Sequence, residues 1–250
     1  MYKTIINPKY KELSSFINQI PETFESSGKT IYTGRNLIKV FSVNGIQINV
    51  KRYGIPFIFN RIAYRFFRSP KGLRAYQYPF ILQEKGIATP ESIAYLEERR
   101  WGLIRYSYYV SIQSSYTSEL YNIGDLEATE ITDLITSLAR FTADVHAKGV
   151  YHKDYSPGNI LLEKQEDGTY RFCLVDINRM RFGSVSVEQG CANFARLWGQ
   201  PSTFRALATE YALQRGADVD QCIDLVMRAR VKFWKRISRK RVVKYNLKYE

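Results

Sequence analysis

His152-Lys153-Asp154-Tyr155-Ser156-Pro157-Gly158-Asn159, followed by Leu174-Val175-Asp176-Ile177-Asn178, is the stretch of this 250-residue chain on which its fold turns. Between the two lie Ile160 to Glu163 and Tyr170 to Val175, rich in strand-favouring residues and joined by Asp167-Gly168, a hairpin signal. The pattern is His-x-Asp-x4-Asn, strand, turn, strand, Asp. A carboxylate, a carboxamide and a second carboxylate are thus placed on loops and strand ends, where side chains meet ligands rather than fill a core. All three carry hard oxygen atoms suited to a divalent cation, and Asp154 can also receive or orient the proton of a hydroxyl.

Working toward the N-terminus, Val150-Tyr151 is a short strand. A helix precedes it, marked by Ile131, Leu134, Ile135, Leu138, Phe141 and Val145 and stopped at Lys148-Gly149. Thr30 to Tyr32, Leu37 to Val43 and Ile46 to Arg52 read as an antiparallel meander, with Asn44-Gly45 as a type I′ turn. Its last strand ends near Lys51. Arg61-x3-Arg65-x2-Arg68 puts three guanidinium groups on one helical face, with Phe59, Ile62, Ala63, Phe66 and Phe67 supplying apolar surface elsewhere. A second helix begins at Ser69-Pro70 and runs through Arg74, Gln77 and Ile81 to Lys85-Gly86. Ser92 to Leu96 and Tyr106 to Ile112 are strands around a turn at Arg99 to Gly102, and beyond Glu188 the chain reads as helical.

This order resembles the catalytic loop and metal aspartate of the protein-kinase-like fold. The resemblance implies an α+β, two-lobed chain: residues 1–113 as an antiparallel sheet with one main helix, and residues 114–250 as a mostly helical lobe carrying the catalytic loop. It implies ATP and Mg²⁺ as cofactors, with Lys51 on the α- and β-phosphates, Asp154 as the catalytic carboxylate, and Asn159 and Asp176 on the metal. No Gly-x-Gly-x-x-Gly precedes the meander, so Gly34 and Arg35, in its first turn, are the candidates for covering the phosphates. Only sixteen residues separate Asp176 from Asn193, without Ala-Pro-Glu, too few for the segment on which protein kinases lay a peptide. A small-molecule or lipid-linked hydroxyl is the expected acceptor. Kinases pair the strand lysine with a helix glutamate, yet the first acid after Lys51 is Glu84. Either Gln77 orients Lys51 by a neutral hydrogen bond, or Glu84 does so after a shift, or the pair is absent.

The formal net charge is +13, and it is regional. Residues 26–83 hold ten bases and no acid; residues 228–250 hold ten bases against Glu250, so the rest of the chain carries −6. Such segregation points to an anionic partner: nucleic acid, a membrane surface or a phosphorylated substrate. No nucleic-acid recognition motif accompanies the charge, so nucleic acid is not expected. Arg61, Arg65 and Arg68 with their neighbouring phenylalanines suit an anionic membrane surface or a phosphorylated lipid acceptor; Phe233, Trp234 and Ile237 fit the same reading or a docked basic helix. No apolar run approaches the roughly 20 residues of a membrane-spanning helix, and no secretory signal is seen at the start. Three cysteines and two histidines, widely spaced, support neither a disulfide framework nor a zinc site and fit a reducing cytoplasm.

Beyond the fold, the sequence resembles the bacterial lipopolysaccharide core kinases, comprising the Kdo (3-deoxy-D-manno-octulosonic acid) kinases and related heptose kinases. The resemblance rests on Gly34-Arg35-Asn36, Val50-Lys51-Arg52-Tyr53, Phe59 to Tyr64, Lys85 to Pro90, His152-x-Asp154 with Asn159, and Val175 to Met180. It implies ATP-dependent phosphorylation of an inner-core sugar hydroxyl of a lipid A-linked acceptor, by a peripheral protein on the cytoplasmic side of the inner membrane. Two other readings stay open: a small-metabolite kinase of the aminoglycoside or choline type, and a membrane-associated pseudokinase that binds ATP without turnover.

Overall fold

A computed structural model describes residues 2–116, 118–123, 126–240, 242–243 and 248. The chain forms two compact units, Met1–Ser115 with Asp176–Asn178, and Tyr116–Val175 with Arg179–Glu250.

The first unit is built on a six-stranded antiparallel sheet of β1 (Tyr2–Ile6), β2 (Lys29–Thr33), β3 (Asn36–Val43), β4 (Ile46–Tyr53), β5 (Ser92–Arg100) and β6 (Leu103–Ile112), in the order β1-β5-β6-β4-β3-β2. Asn44 and Gly45 turn β3 into β4 with φ of 50° and 78°, the left-handed pair that a type I′ turn requires. Strand alternation sorts the sheet into two faces. Ile48 and Val50 of β4, Ala94 and Leu96 of β5, and Tyr108 and Val110 of β6 enter the apolar core. Against them lies α1 (Ser14–Thr23), whose buried Ile17 and Ile20 extend a stripe with Leu13 and Phe24. The opposite face is polar: Lys51 lies opposite Tyr109 in register, and Tyr109 opposite Tyr95. There α3 (Lys71–Glu84) covers β5 and β6, and Gly72 permits the approach, since a Cβ would sit 2.8 Å from the Tyr95 ring. α2 (Ile58–Phe66) joins the sheet to α3. Among the described residues the first unit has three α-helices, and α3, the longest, is the main helix expected beside the sheet.

The second unit centres on α4 (Thr132–Ala147), whose buried Leu134, Ile135, Leu138, Thr142, Val145 and His146 face α6 (Pro201–Arg215) and a small sheet. That sheet orders β10 (Tyr170–Leu174), β9 (Ile160–Lys164) and β7 (Ser118–Glu119), while β8 (Val150–His152) pairs with β11 (Met180–Phe182). α5 (Val187–Asn193) starts with a reciprocal cap between Ser186 and Gln189. α7 (Val219–Ser238) docks through Cys222, Val226, Arg230 and Trp234, four residues apart and all buried. Trp234 Nε1 donates to the Leu197 carbonyl at 3.0 Å and Arg230 to that of Gly199 at 2.9 Å. Trp234 is therefore a core anchor rather than a surface aromatic, and of the basic C-terminal stretch residues 241, 244–247 and 249–250 lie outside the described residues. The three cysteines are buried free thiols, and no described helix is long and apolar enough to cross a membrane.

Candidate active site

In the first unit Lys51 projects from the polar face of β4, and its ammonium lies 2.6 Å from Asp176 Oδ1. Asp176 follows β10 with φ of 50°, a conformation costly for a residue with a side chain and one that recurs at functional sites. Asn178 Nδ2 donates to the same oxygen at 2.5 Å and is itself nearly fully buried. Lys51 Nζ also sits 5.3 Å from the centre of the Tyr53 ring. Burial first, then the charge of Asp176 and the nearby Tyr109, push the Tyr53 phenol well above its usual range, opposed by Arg74, so Tyr53 stays neutral.

Gln77, expected to orient Lys51, is exposed and makes no hydrogen bond among the described residues; Glu84 is exposed as well. The buried stripe of α3 runs through Gly72, Ala75, Tyr76, Pro79 and Leu82, which turns position 77 outward. Arg74 is half-buried, and its Nε and Nη2 atoms are enclosed without a hydrogen-bond partner among the described residues. Gly34 and Arg35 form the turn between β2 and β3, both exposed, and Gly34 N donates to the Asn36 carbonyl at 3.1 Å. Gly54, just after β4, lets the Arg35 carbonyl approach to a point that a Cβ would meet at 2.4 Å.

In the second unit the loop after β8 carries Asp154 and Asn159. Arg196 Nη1 donates to Asp154 Oδ1 at 2.8 Å and Arg179 Nη1 to Oδ2 at 3.4 Å, while the aspartate side chain keeps 26% of its surface exposed. Asn159 gives an amide hydrogen to the Asp154 carbonyl at 2.8 Å, which turns its Oδ1 away from the loop; that oxygen has no hydrogen bond among the described residues. His152 is buried. It accepts from the Asp154 amide at Nδ1, 3.0 Å, so its proton is on Nε2 and goes to the Val175 carbonyl at 3.1 Å. This neutral ring ties the catalytic-loop backbone to the end of β10, a structural task.

Behind the loop, Asn193 donates to the His152 carbonyl at 3.0 Å and accepts from His146 Nε2 at 3.0 Å. His146 Nδ1 meets the Tyr211 hydroxyl at 2.9 Å, which takes a bond from Arg215 at 3.1 Å. Gly190 is required beside this chain, because a Cβ would lie 1.8 Å from that hydroxyl. Arg196, Arg74 and Asn193 were given no role by the sequence reading, since nothing local distinguishes them from other arginines and asparagines. Tyr53, Asn178 and Arg179 lie in stretches that carried the resemblance, but no role was attached to them.

Residues 58–200 match the sequence model of the family described as "Lipopolysaccharide kinase (Kdo/WaaP) family". Among solved structures, "WaaP in complex with acyl carrier protein" superposes with a TM-score of 0.57 at 17% identity, covering 95% of this chain and 97% of that one. "Crystal structure of a thermostable mutant of aminoglycoside phosphotransferase APH(4)-Ia, apo form" superposes at 0.42 with 13% identity, over 90% of this chain and 99% of that one. A comparison with curated proteins finds no match. The fold is protein-kinase-like.

Proposed function

The chain belongs to the lipopolysaccharide kinase (Kdo/WaaP) family, phosphotransferases that act on hydroxyl acceptors, and on that premise we propose that it phosphorylates a hydroxyl of an inner-core sugar, Kdo, on a lipid A-linked acceptor. ATP is the phosphoryl donor and Mg²⁺ its counter-ion. The reaction takes place at the cytoplasmic face of the inner membrane, to whose anionic surface the protein binds peripherally.

What supports this reading most is the ion pair of Lys51 with Asp176, two residues 125 positions apart in sequence. A solvated lysine and a simple strand cap would have no reason to meet. Among the described residues no group of three or more His, Cys, Asp or Glu forms a cation cage. That fits Mg²⁺, which is held by one or two carboxylates and the phosphates of its nucleotide rather than by protein alone. Asp176 supplies a carboxylate and Asn159 an amide oxygen that makes no hydrogen bond among the described residues, and these are the donors we assign to the ion. When bound, it neutralises charge on the phosphates.

The chain's own residues do the rest. Lys51 holds the α- and β-phosphates, Gly34 and Arg35 cover them, and the half-buried Arg74 adds positive charge to the same face. Asp154, fixed by Arg196 and Arg179, accepts or orients the proton of the acceptor hydroxyl. The test is transfer of radiolabelled phosphate from ATP to purified Kdo-lipid A, with mass spectrometry of lipopolysaccharide from cells carrying Asp154→Asn. Transfer in vitro and loss of one phosphate from the core in the variant are expected. No transfer by folded protein, together with an unchanged core in the variant, would refute the proposal.

A further inference from the structure

α2 is amphipathic the wrong way round for a helix that packs on its own protein. Only Tyr64 is buried, while Phe59 and Phe66 are 82% and 64% exposed and Ile62 lies outward with them, at the i, i+3, i+7 spacing of one face. Phe57 and Phe67 flank the helix at 77% and 87% exposure, with Ile55 and Ile58 beside them. Arg61 does not join the outward face: its Nε donates to the Ile104 carbonyl of β6 at 2.7 Å. Arg65 lies over Gly102, where a Cβ would meet its guanidinium at 2.3 Å. Arg61 fastens α2 beside the β5–β6 turn, against which Arg65 also lies, and at the tip of that turn Trp101 is 85% exposed under Arg100. Helix and turn therefore lie side by side, and their five exposed aromatic rings together present an apolar area on the order of 500 Å², as large as the biggest patch of an ordinary monomer.

Its rim is cationic. Arg65, Arg68 and Arg100 are exposed around it, and no acid occurs in residues 26–83. The nearby acids of β5 are engaged: Glu97 is buried with Tyr95 and Arg99, and Glu98 is bound by Arg105 at 2.9 Å. The exposed rings stand on a helix and on a hairpin tip, with Phe66 and Phe67 side by side at 6.1 Å between ring centres. A fluid phase conforms to such a shape, and phenylalanine and tryptophan ringed by arginine match the boundary between acyl chains and anionic headgroups.

We propose that α2 and the β5–β6 turn form a membrane-insertion element, lying in the plane of an anionic bilayer. Phe59, Ile62 and Phe66 enter the acyl boundary, Phe57, Phe67 and Trp101 flank them, and Arg65, Arg68 and Arg100 engage headgroup phosphates. This rests on the peripheral-membrane reading above and changes its physics. The contact is led by apolar insertion, with the arginines in support, and Arg61 is an internal fastener.

The test is sedimentation with vesicles of phosphatidylcholine alone or mixed with phosphatidylglycerol, at low and high salt. Wild type, Phe59→Ser/Phe66→Ser and Arg65→Gln/Arg68→Gln are compared, with circular dichroism to verify folding. Wild type should bind the anionic vesicles and retain part of that binding in high salt. The phenylalanine variant should bind at least tenfold more weakly at both salt levels, and the arginine variant should lose mainly the salt-sensitive part. Three results would overturn the proposal: wild-type sedimentation by the folded phenylalanine variant, binding abolished by salt alone, or no vesicle binding with phenylalanine-dependent self-association instead. Phosphate transfer to a deacylated, soluble core acceptor separates this from the chemistry. The phenylalanine variant should keep that activity, whereas failure of the kinase reading would remove it from wild type without altering sedimentation.

Discussion

Acidification should loosen the support of the catalytic loop through His146 before the carboxylates titrate. Its ring donates to Asn193 and accepts from Tyr211, and burial first, then Arg215 and Arg181, lower its pKa from 6.5 to about 4 against the opposing bond to Asn193. Between those values the unfolded chain carries a proton that the folded protein refuses, so stability rises with pH. The contribution is complete above pH 6.5 and is lost as the pH falls toward 4. Linkage gives a loss of about 2 kcal/mol between pH 7.5 and 5, and about 3 kcal/mol when complete. Protonation also makes Nδ1 a donor aimed at a hydroxyl that already receives Arg215, so the bonds from Tyr211 to the His152 carbonyl weaken together. Urea unfolding from pH 7.5 to 5.0 on wild type and His146→Gln checks this. The chain has two histidines, and His152 is present in both proteins, so the difference between their pH slopes reports His146. Wild type should lose about 2 kcal/mol more than the variant. Parallel slopes would refute the reasoning.

Three further outcomes are expected. Asp154→Asn should lower phosphate transfer by about 10²- to 10⁴-fold, the range for a lost general base, with an unchanged circular-dichroism spectrum; full activity would remove Asp154 from the chemistry. Arg74→Gln should raise KM for ATP by about 10- to 100-fold, because a charge-assisted hydrogen bond is worth about 1.5–3 kcal/mol; an unchanged KM would leave Arg74 without a phosphate. Gly190→Ala, which drives a methyl group into the Tyr211 hydroxyl, should destabilise by about 1–3 kcal/mol, and a midpoint in urea equal to that of wild type would show that the helices simply part.

The features legible in the sequence were those whose cause is local. The β3–β4 hairpin was announced by Asn44-Gly45, α4 by its apolar period, and the β9–β10 hairpin by Asp167-Gly168, because each depends on backbone preference or on one face of one element. β1 was missed although it pairs with β5 from Tyr2 to Ile6: five residues of mixed polarity become a strand only when an edge 90 residues away accepts them. α1 was missed too, its stripe of Leu13, Ile17, Ile20 and Phe24 masked by the internal Pro21, which is tolerated in the last turn of the helix. Residues that steady the loop, such as Asn193 and Arg196, are invisible one at a time, since their roles exist only in the partners they reach.

The outward position of Gln77 on α3 has a definite physical source. Gln77 was one of the candidates to orient Lys51, a role that would require it to face the sheet. The inward face is the stripe of Gly72, Ala75, Tyr76, Pro79 and Leu82, and Gly72 lets the helix approach the Tyr95 ring. Position 77 is two residues beyond Ala75, about 200° around the helix, and so faces water. Position 74 is one residue short of the same stripe, close enough for a long side chain to fold inward, and two of its three guanidinium nitrogens are enclosed there. Where a kinase would carry an acid to neutralise the strand lysine, this unit carries a second cation, and Asp176 is left to balance Lys51 from the end of β10. A polar sheet face with two cations near one carboxylate is electrostatically incomplete without an anion, which is why the KM for ATP of Arg74→Gln is the sharper test of the nucleotide site than any change at Gln77.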